Sequence, residues 1–211
     1  MISKHTNIFL IINEMRFRLL LEQLRILELT KSDFLPILKY SHFIERYYDV
    51  SVFHNVKSWT IKLILKPLDK PIEKKDQSKL FEQNIEEPRV FVAKVNGEQV
   101  GWIELGYQRW NNRMRVWEFL VKEGFREKGV GTLLMNKAVE IARKKGARMV
   151  VLETQSWNVQ AIDFYIKYGF ELIGLDVYAY SNHDIEKNDV RLEFGLRLGL
   201  DMSRNVLKTL T

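Results

Sequence analysis

The run Arg126-Glu127-Lys128-Gly129-Val130-Gly131-Thr132 sets two cationic side chains and two closely spaced glycines between an apolar run and a long amphipathic repeat. Residues of these types at this spacing are suited to holding a phosphate. A helix start leaves its first N–H groups unpaired and carries the positive end of the helix dipole. Gly129 and Gly131 let the backbone approach a ligand closely, and Arg126 and Lys128 add formal positive charge. A Walker A loop needs Lys and Ser or Thr directly after its last glycine, whereas Val130-Gly131 follow Gly129. A Rossmann fingerprint starting at Gly129 needs a glycine where Leu134 stands. Both nucleotide devices fail on spacing.

The elements that must position this turn follow from periodicity. Arg89–Val95 ends at Asn96-Gly97, a strong hairpin signal, and the chain returns through Gln99–Tyr107. A third strand covers Met114–Val121 after the polar turn Asn111–Arg113. Val130, Leu133, Leu134, Ala138, Ile141 and Ala142 form one helical stripe over Val130–Lys145, which Gly146 closes. Arg148–Thr154 reads as a strand, Asn158 as the cap of a helix over Val159–Tyr168, and Phe170–Tyr180 and Asp189–Leu198 as two further strands around the polar loop Ser181–Asn188. The order is β-β-β-α-β-α-β-β. Ahead of it, a strand is expected near Leu24–Leu29 and one or two helices over Lys31–Tyr48, interrupted near Pro36. Residues 59–65 read as a strand or a helical turn, and Pro67–Pro88 as a long loop carrying six acids, Asp69, Glu73, Asp76, Glu82, Glu86 and Glu87. Residues 1–60 form an N-terminal strand and helical part, with a disordered extension expected at 1–14, and 61–211 the core of a single domain.

With 211 residues, 46% of them hydrophobic, the chain can bury a substantial core. It has no cysteine, which excludes disulfides and thiolate chemistry and fits a reducing, cytoplasmic compartment. The net charge of +6 comes from 33 basic and 27 acidic residues that are scattered, so a solvated surface is expected and no nucleic-acid partner. No run reaches the roughly 18 apolar residues that span a bilayer, and Ile8–Ile12 lacks the flanks of a secretory signal. His5, His42, His54 and His183 show no metal spacing.

The pattern Arg-x-x-Gly-x-Gly at Arg126–Gly131 resembles that of the GNAT N-acetyltransferases. So do the hairpin before it and, after it, Leu152–Thr154, Asn158, Ala161, Phe164-Tyr165 and Gly169-Phe170. The wording at Trp110-Asn111, Leu152–Gln155 and the run from Phe164 to Asn182 is closest to the streptothricin acetyltransferases. The resemblance covers about Arg89 to Leu198. It implies an α/β (α+β) GNAT fold: a mixed, mostly antiparallel sheet of six to seven strands, splayed at the acetyl-CoA site, with helices on both faces.

It also implies acetyl-CoA as cosubstrate. Its pyrophosphate would lie on Arg126, Glu127, Lys128, Gly129, Val130, Gly131 and Thr132, and its pantetheine along Phe119, Leu120 and Val121. Asn158, Ala161, Phe164 and Tyr165 would line the other side, and the amide of Leu120 or Val121 would hold the thioester oxygen. Tyr165 is then the acid for the departing thiolate. Glu118 is the base, or else a carboxylate that binds the cationic acceptor; Glu104 and Glu153 are weaker candidates. The implied acceptor is a cationic small-molecule amine, with Trp102, Tyr107, Trp110 and Trp117 available to wall in a ring. Within the enzyme class, peptide or protein N-termini and polyamines compete, and a non-catalytic CoA-binding module is the reading from another class. Nothing expected here involves a membrane or a metal, and a homodimer is compatible with the sequence.

Overall fold

The structure, a computed structural model, describes residues 22–33 and 37–199. The readings of residues 1–21, and of a break at Pro36, lie outside them. Seven strands form one sheet: β1 (Leu24–Leu29), β4 (Arg89–Val95), β5 (Glu98–Gln108), β6 (Arg113–Val121), β7 (Met149–Gln155), β8 (Glu171–Asp176) and β9 (Arg191–Arg197). Their order is β1-β4-β5-β6-β7-β9-β8, and every pair is antiparallel except β6 with β7. The hairpin at Asn96-Gly97 forms as expected, with both residues at positive φ, 51° and 83°, the backbone a tight two-residue turn requires.

Helix α1 (Val130–Lys145) buries Val130, Leu134, Met135, Ala138, Ile141 and Ala142 and packs chiefly on β5 and β6. The approach at β5 is close: a Cβ on Gly101 would stand 3.0 Å from Leu134 Cδ1. Each fully buried aliphatic side chain of this stripe contributes about 1.5–3 kcal/mol, enough to hold the turn before α1 in one place. Helix α2 (Val159–Tyr168) starts at Asn158 and ends on Gly169, at φ 112°.

The N-terminal third corrects the sequence reading. Lys31–Tyr48 is not helical where described: Leu38–His54 is a 17-residue strand, β2. Nor is Pro67–Pro88 all loop, because β3 runs from Trp59 to Ser78. The two pair antiparallel from Leu38↔Ser78 to His54↔Trp59 as a separate two-stranded ribbon, so residue 60 lies inside a hairpin. Pro67 stands just before, and Pro71 within, the segment 68–71 where the register breaks; an edge strand tolerates proline there. Near Val50 and Leu63 the ribbon packs into the main core, and Tyr48 N–H donates to the Ser156 carbonyl at 2.9 Å. The sheet face bearing Val90, Val92 and Trp102 is covered by Leu38 of the ribbon and Leu80 of the loop after it, where the sequence had suggested helices.

Candidate active site

Strands β6 and β7 part soon after they meet. Only Arg113↔Met149, Met114↔Val150 and Arg115↔Val151 are in register, although β6 continues to Val121 and β7 to Gln155. The gap between them is therefore edged by unpaired strand. Lys122 N–H donates to the Val100 carbonyl at 2.9 Å, and strand groups alternate sides, so Leu120 N–H also faces β5 while Phe119 and Val121 face the gap. Arg126 Nε donating to the Val121 carbonyl at 3.1 Å agrees with this.

The basic turn closes one end of the gap. Glu127 and Gly129 take positive φ, 58° and 77°. Gly129 caps α1 without any side chain on the free amides, and the first helical bond is Leu133 N–H to the Gly129 carbonyl at 3.0 Å. The N–H groups of Val130, Gly131 and Thr132 thus have no helical partner, which is the chemistry a phosphate needs. Lys128 Nζ donates to the Gly124 carbonyl at 2.7 Å, and Arg126 also reaches Gln160 Oε1 at 2.8 Å.

A Cβ at position 131 would lie 3.3 Å from Phe119 and 3.4 Å from Phe164, so any larger residue requires those rings to give. Those two rings stand 5.3 Å apart, and Tyr165 lies 6.3 Å from Phe119 and 5.8 Å from Phe164. Asn158 accepts from Ala161 N–H at 3.3 Å, which fixes the first turn of α2 and with it the direction of Tyr165. Tyr165 is buried, and burial, reinforced by the Glu118 charge, pushes its hydroxyl above the ordinary range. It stays protonated.

Glu118 and Glu104 face each other across β6 and β5. Glu104 is 1% exposed and accepts from Phe81 N–H at 2.6 Å. Burial pushes its carboxyl up to about 7, with the Glu118 charge adding. Glu118 is also raised, first by burial and then by Asp76 and Glu82, against a hydrogen bond from Ser78. For Glu104 the sign is clear: a pKa above its unfolded value favours folding while the group is protonated, and that contribution disappears as pH rises through about 7. Glu104→Gln is expected to gain about 2–3 kcal/mol relative to the wild type between about pH 4 and about pH 8, since the wild-type contribution is lost between the unfolded value of 4.5 and about 7. Denaturant midpoints at the two pH values check this; an unchanged difference between them would show that Glu104 does not titrate in this range.

Regular strand alternation along β6 would set Trp117 on the face opposite Glu118. The structure overturns this: β6 has one more residue than β5 between Glu104↔Glu118 and Leu105↔Val116, and this β-bulge re-aims Trp117. Its indole lies against Gly106, on the Glu104 side, with Arg115 5.0 Å from the ring. Of the other aromatics, Trp102 is buried and Trp110 exposed. Of the six acids between Pro67 and Pro88, Asp76 and Glu82 act on Glu118, and Glu86 and Glu87 are paired with Arg109. Glu153 pairs with Arg115.

Sequence reasoning missed the ribbon's contribution. Tyr40, His42, Asp76 and Ser78 stand at its base, with His42 edge-on to Tyr40 at 5.4 Å and to Trp157 at 5.0 Å. Burial, aided by the Arg126 charge, holds His42 below its usual range. No group of three or more potential metal ligands occurs among the described residues, and no helix among them is long and apolar enough to cross a membrane.

A splayed strand pair ending at a free-amide helix start matches what the sequence pattern implied. Residues 59–170 match the model of the acetyltransferase (GNAT) family. The chain belongs to the GNAT family. A streptothricin acetyltransferase of Streptomyces lavendulae is 38% identical over 93 residues, 44% of this chain and 49% of that enzyme. The match thus spans about half of that relative. Streptothricin acetyltransferase A of Bacillus subtilis (strain 168) is 31% identical over 134 residues, 63% of this chain and 76% of that protein. Among solved structures, nourseothricin acetyltransferase superposes with a TM-score of 0.66 at 27% identity, over 84% of this chain and 99% of that one. A Bacillus anthracis str. Ames protein solved with acetyl coenzyme A shares the fold, with a TM-score of 0.68 at 24% identity over 83% and 98% of the two chains. GNAT membership agrees with the seven-stranded mixed sheet and two helices described above.

Proposed function

We propose that this chain is an acetyl-CoA-dependent N-acetyltransferase that moves the acetyl group directly to a primary amine, with a cationic antibiotic of the streptothricin type as acceptor. The observation that carries the reading is the gap between β6 and β7, which runs from the free amides of α1 to Glu118 and Tyr165. The residues fit the cosubstrate: Val130, Gly131 and Thr132 offer N–H groups to a pyrophosphate, Arg126 and Lys128 offer charge, and Val121 and Phe119 offer strand-edge groups to pantetheine amides. The cosubstrate supplies an activated acetyl thioester.

Glu118 takes a proton from the acceptor ammonium and the freed amine forms the C–N bond; as the C–S bond breaks, Tyr165 gives a proton to the departing thiolate and is restored by the second proton of the now cationic nitrogen. Because its hydroxyl is pushed up, Tyr165 acts first as a hydrogen-bond donor that steadies negative sulfur. Tyr165→Phe is expected to lower kcat about 10-fold or more with CoA affinity within about twofold. Equal turnover would remove Tyr165 from this role.

Names of relatives and the acids around Glu118 support a cationic acceptor. The test is release of free thiol from acetyl-CoA in the presence of streptothricin, polyamines and peptides with free N-termini, beside calorimetry of CoA binding. Turnover with streptothricin above the other amines is expected. CoA binding without turnover on any amine would replace the enzyme with a CoA-binding module.

A further inference from the structure

We propose that Ser78 and Tyr40, one from each strand of the ribbon, are positioning residues that aim the Glu118 carboxylate at the incoming amine. The inference rests on the reading of Glu118 as the base. Ser78 ends β3, and its hydroxyl donates to Glu118 Oε2. A serine hydroxyl has one proton, so once it is given to Glu118 the oxygen can only accept. Tyr40, the diagonal neighbour of Ser78 on the ribbon, is the side chain placed to fill that acceptor position, with its phenol as the donor. The chain of bonds then has one polarity, Tyr40 to Ser78 to Glu118.

Ribbon register makes the arrangement a built one. Leu38 pairs with Ser78 and Tyr40 with Asp76, so Tyr40 and Ser78 are diagonal neighbours on one face of the ribbon, within reach of each other. One carboxylate oxygen is fixed by this contact, which orients the other. Four acids or phenols besides Tyr40 face Glu118: Glu104 from β5, Asp76 from β3, Glu82 from the loop after it, and Tyr165 from α2. The charges of Asp76 and Glu82 make Glu118 hold its proton harder, and Tyr40 and Tyr165 are kept neutral by burial and the Glu118 charge. The Ser78 hydroxyl opposes the trend. Without it the base would be charged only at higher pH.

The pH profile of kcat/KM separates a positioning role from a merely structural one. Ser78→Ala is expected to move the acidic limb upward by about one pH unit, Ser78→Thr to restore it, and Tyr40→Phe to move it the same way by less. A Ser78→Ala enzyme that loses rate equally at every pH, with its limb in place, would overturn the inference. Should Ser78→Ala not fold, an unshifted limb in Tyr40→Phe overturns it instead. Glu118→Gln run in parallel distinguishes the two levels: if that variant keeps the wild-type profile, the base assignment fails, whereas loss of its limb with Ser78→Ala unshifted refutes the positioning role alone.

Discussion

Glu118→Gln is expected to lower kcat/KM for the amine about 10²–10⁴-fold, the usual contribution of a positioned general base, while CoA affinity stays within about twofold. Glutamine keeps the shape of the side chain and an oxygen to accept from Ser78, so the change removes the proton acceptor and little else. The pH dependence has a definite sign. Burial and the acids around it raise Glu118 above the usual carboxylate range, and the active form is the ionised one. Activity should therefore rise with pH through the raised value and lie flat above it until a second group titrates. Steady-state rates across pH with saturating acetyl-CoA measure this; a glutamine variant with the wild-type kcat/KM would leave Glu118 only the role of binding the cation.

What the sequence disclosed about this site was whatever its local chemistry encodes. Asn96-Gly97 specifies its own turn, the apolar stripe of α1 specifies its own buried face, and Asn158 caps the helix that carries Tyr165. Each signal is complete within a few residues, so it survives without knowledge of the fold. The ribbon has no such signal. From Pro67 to Ser78, β3 is mostly proline, lysine and acid, and it becomes a strand because β2 lies beside it. In β2 itself the apolar residues also fit a helical spacing, and only the long-range pairing decides between periods. The bulge at Trp117 was hidden for a related reason: it is a difference in count between two strands, which neither strand contains alone. Ser78 and Glu118 are 40 residues apart, and nothing in either neighbourhood announces the contact. The turn before α1 was thus legible because one strand, one turn and one helix build it, while the surroundings of Glu118 are assembled from elements distant in the chain.

Gly131→Asp tests the cosubstrate side most severely, with an expected loss of CoA affinity of about 100-fold. Two effects combine. A Cβ at 131 meets Phe119 at 3.3 Å and Phe164 at 3.4 Å, so the rings lining the gap must give by a few tenths of an ångström. A carboxylate in the first turn of α1 then places negative charge beside the amides that would receive a pyrophosphate, worth about 2–3 kcal/mol of repulsion at a partly solvated site. The same carboxylate lies favourably in the field of the helix N-terminus, so the folded state should be spared much of the penalty and thermal unfolding should change little. Gly131→Ala separates the parts: it adds the Cβ without charge and should cost about 10-fold or less. Calorimetric titration of both variants with CoA gives the answer. If aspartate and alanine bind CoA as the wild type does, the pyrophosphate does not lie on the start of α1, and the gap between β6 and β7 would need another explanation.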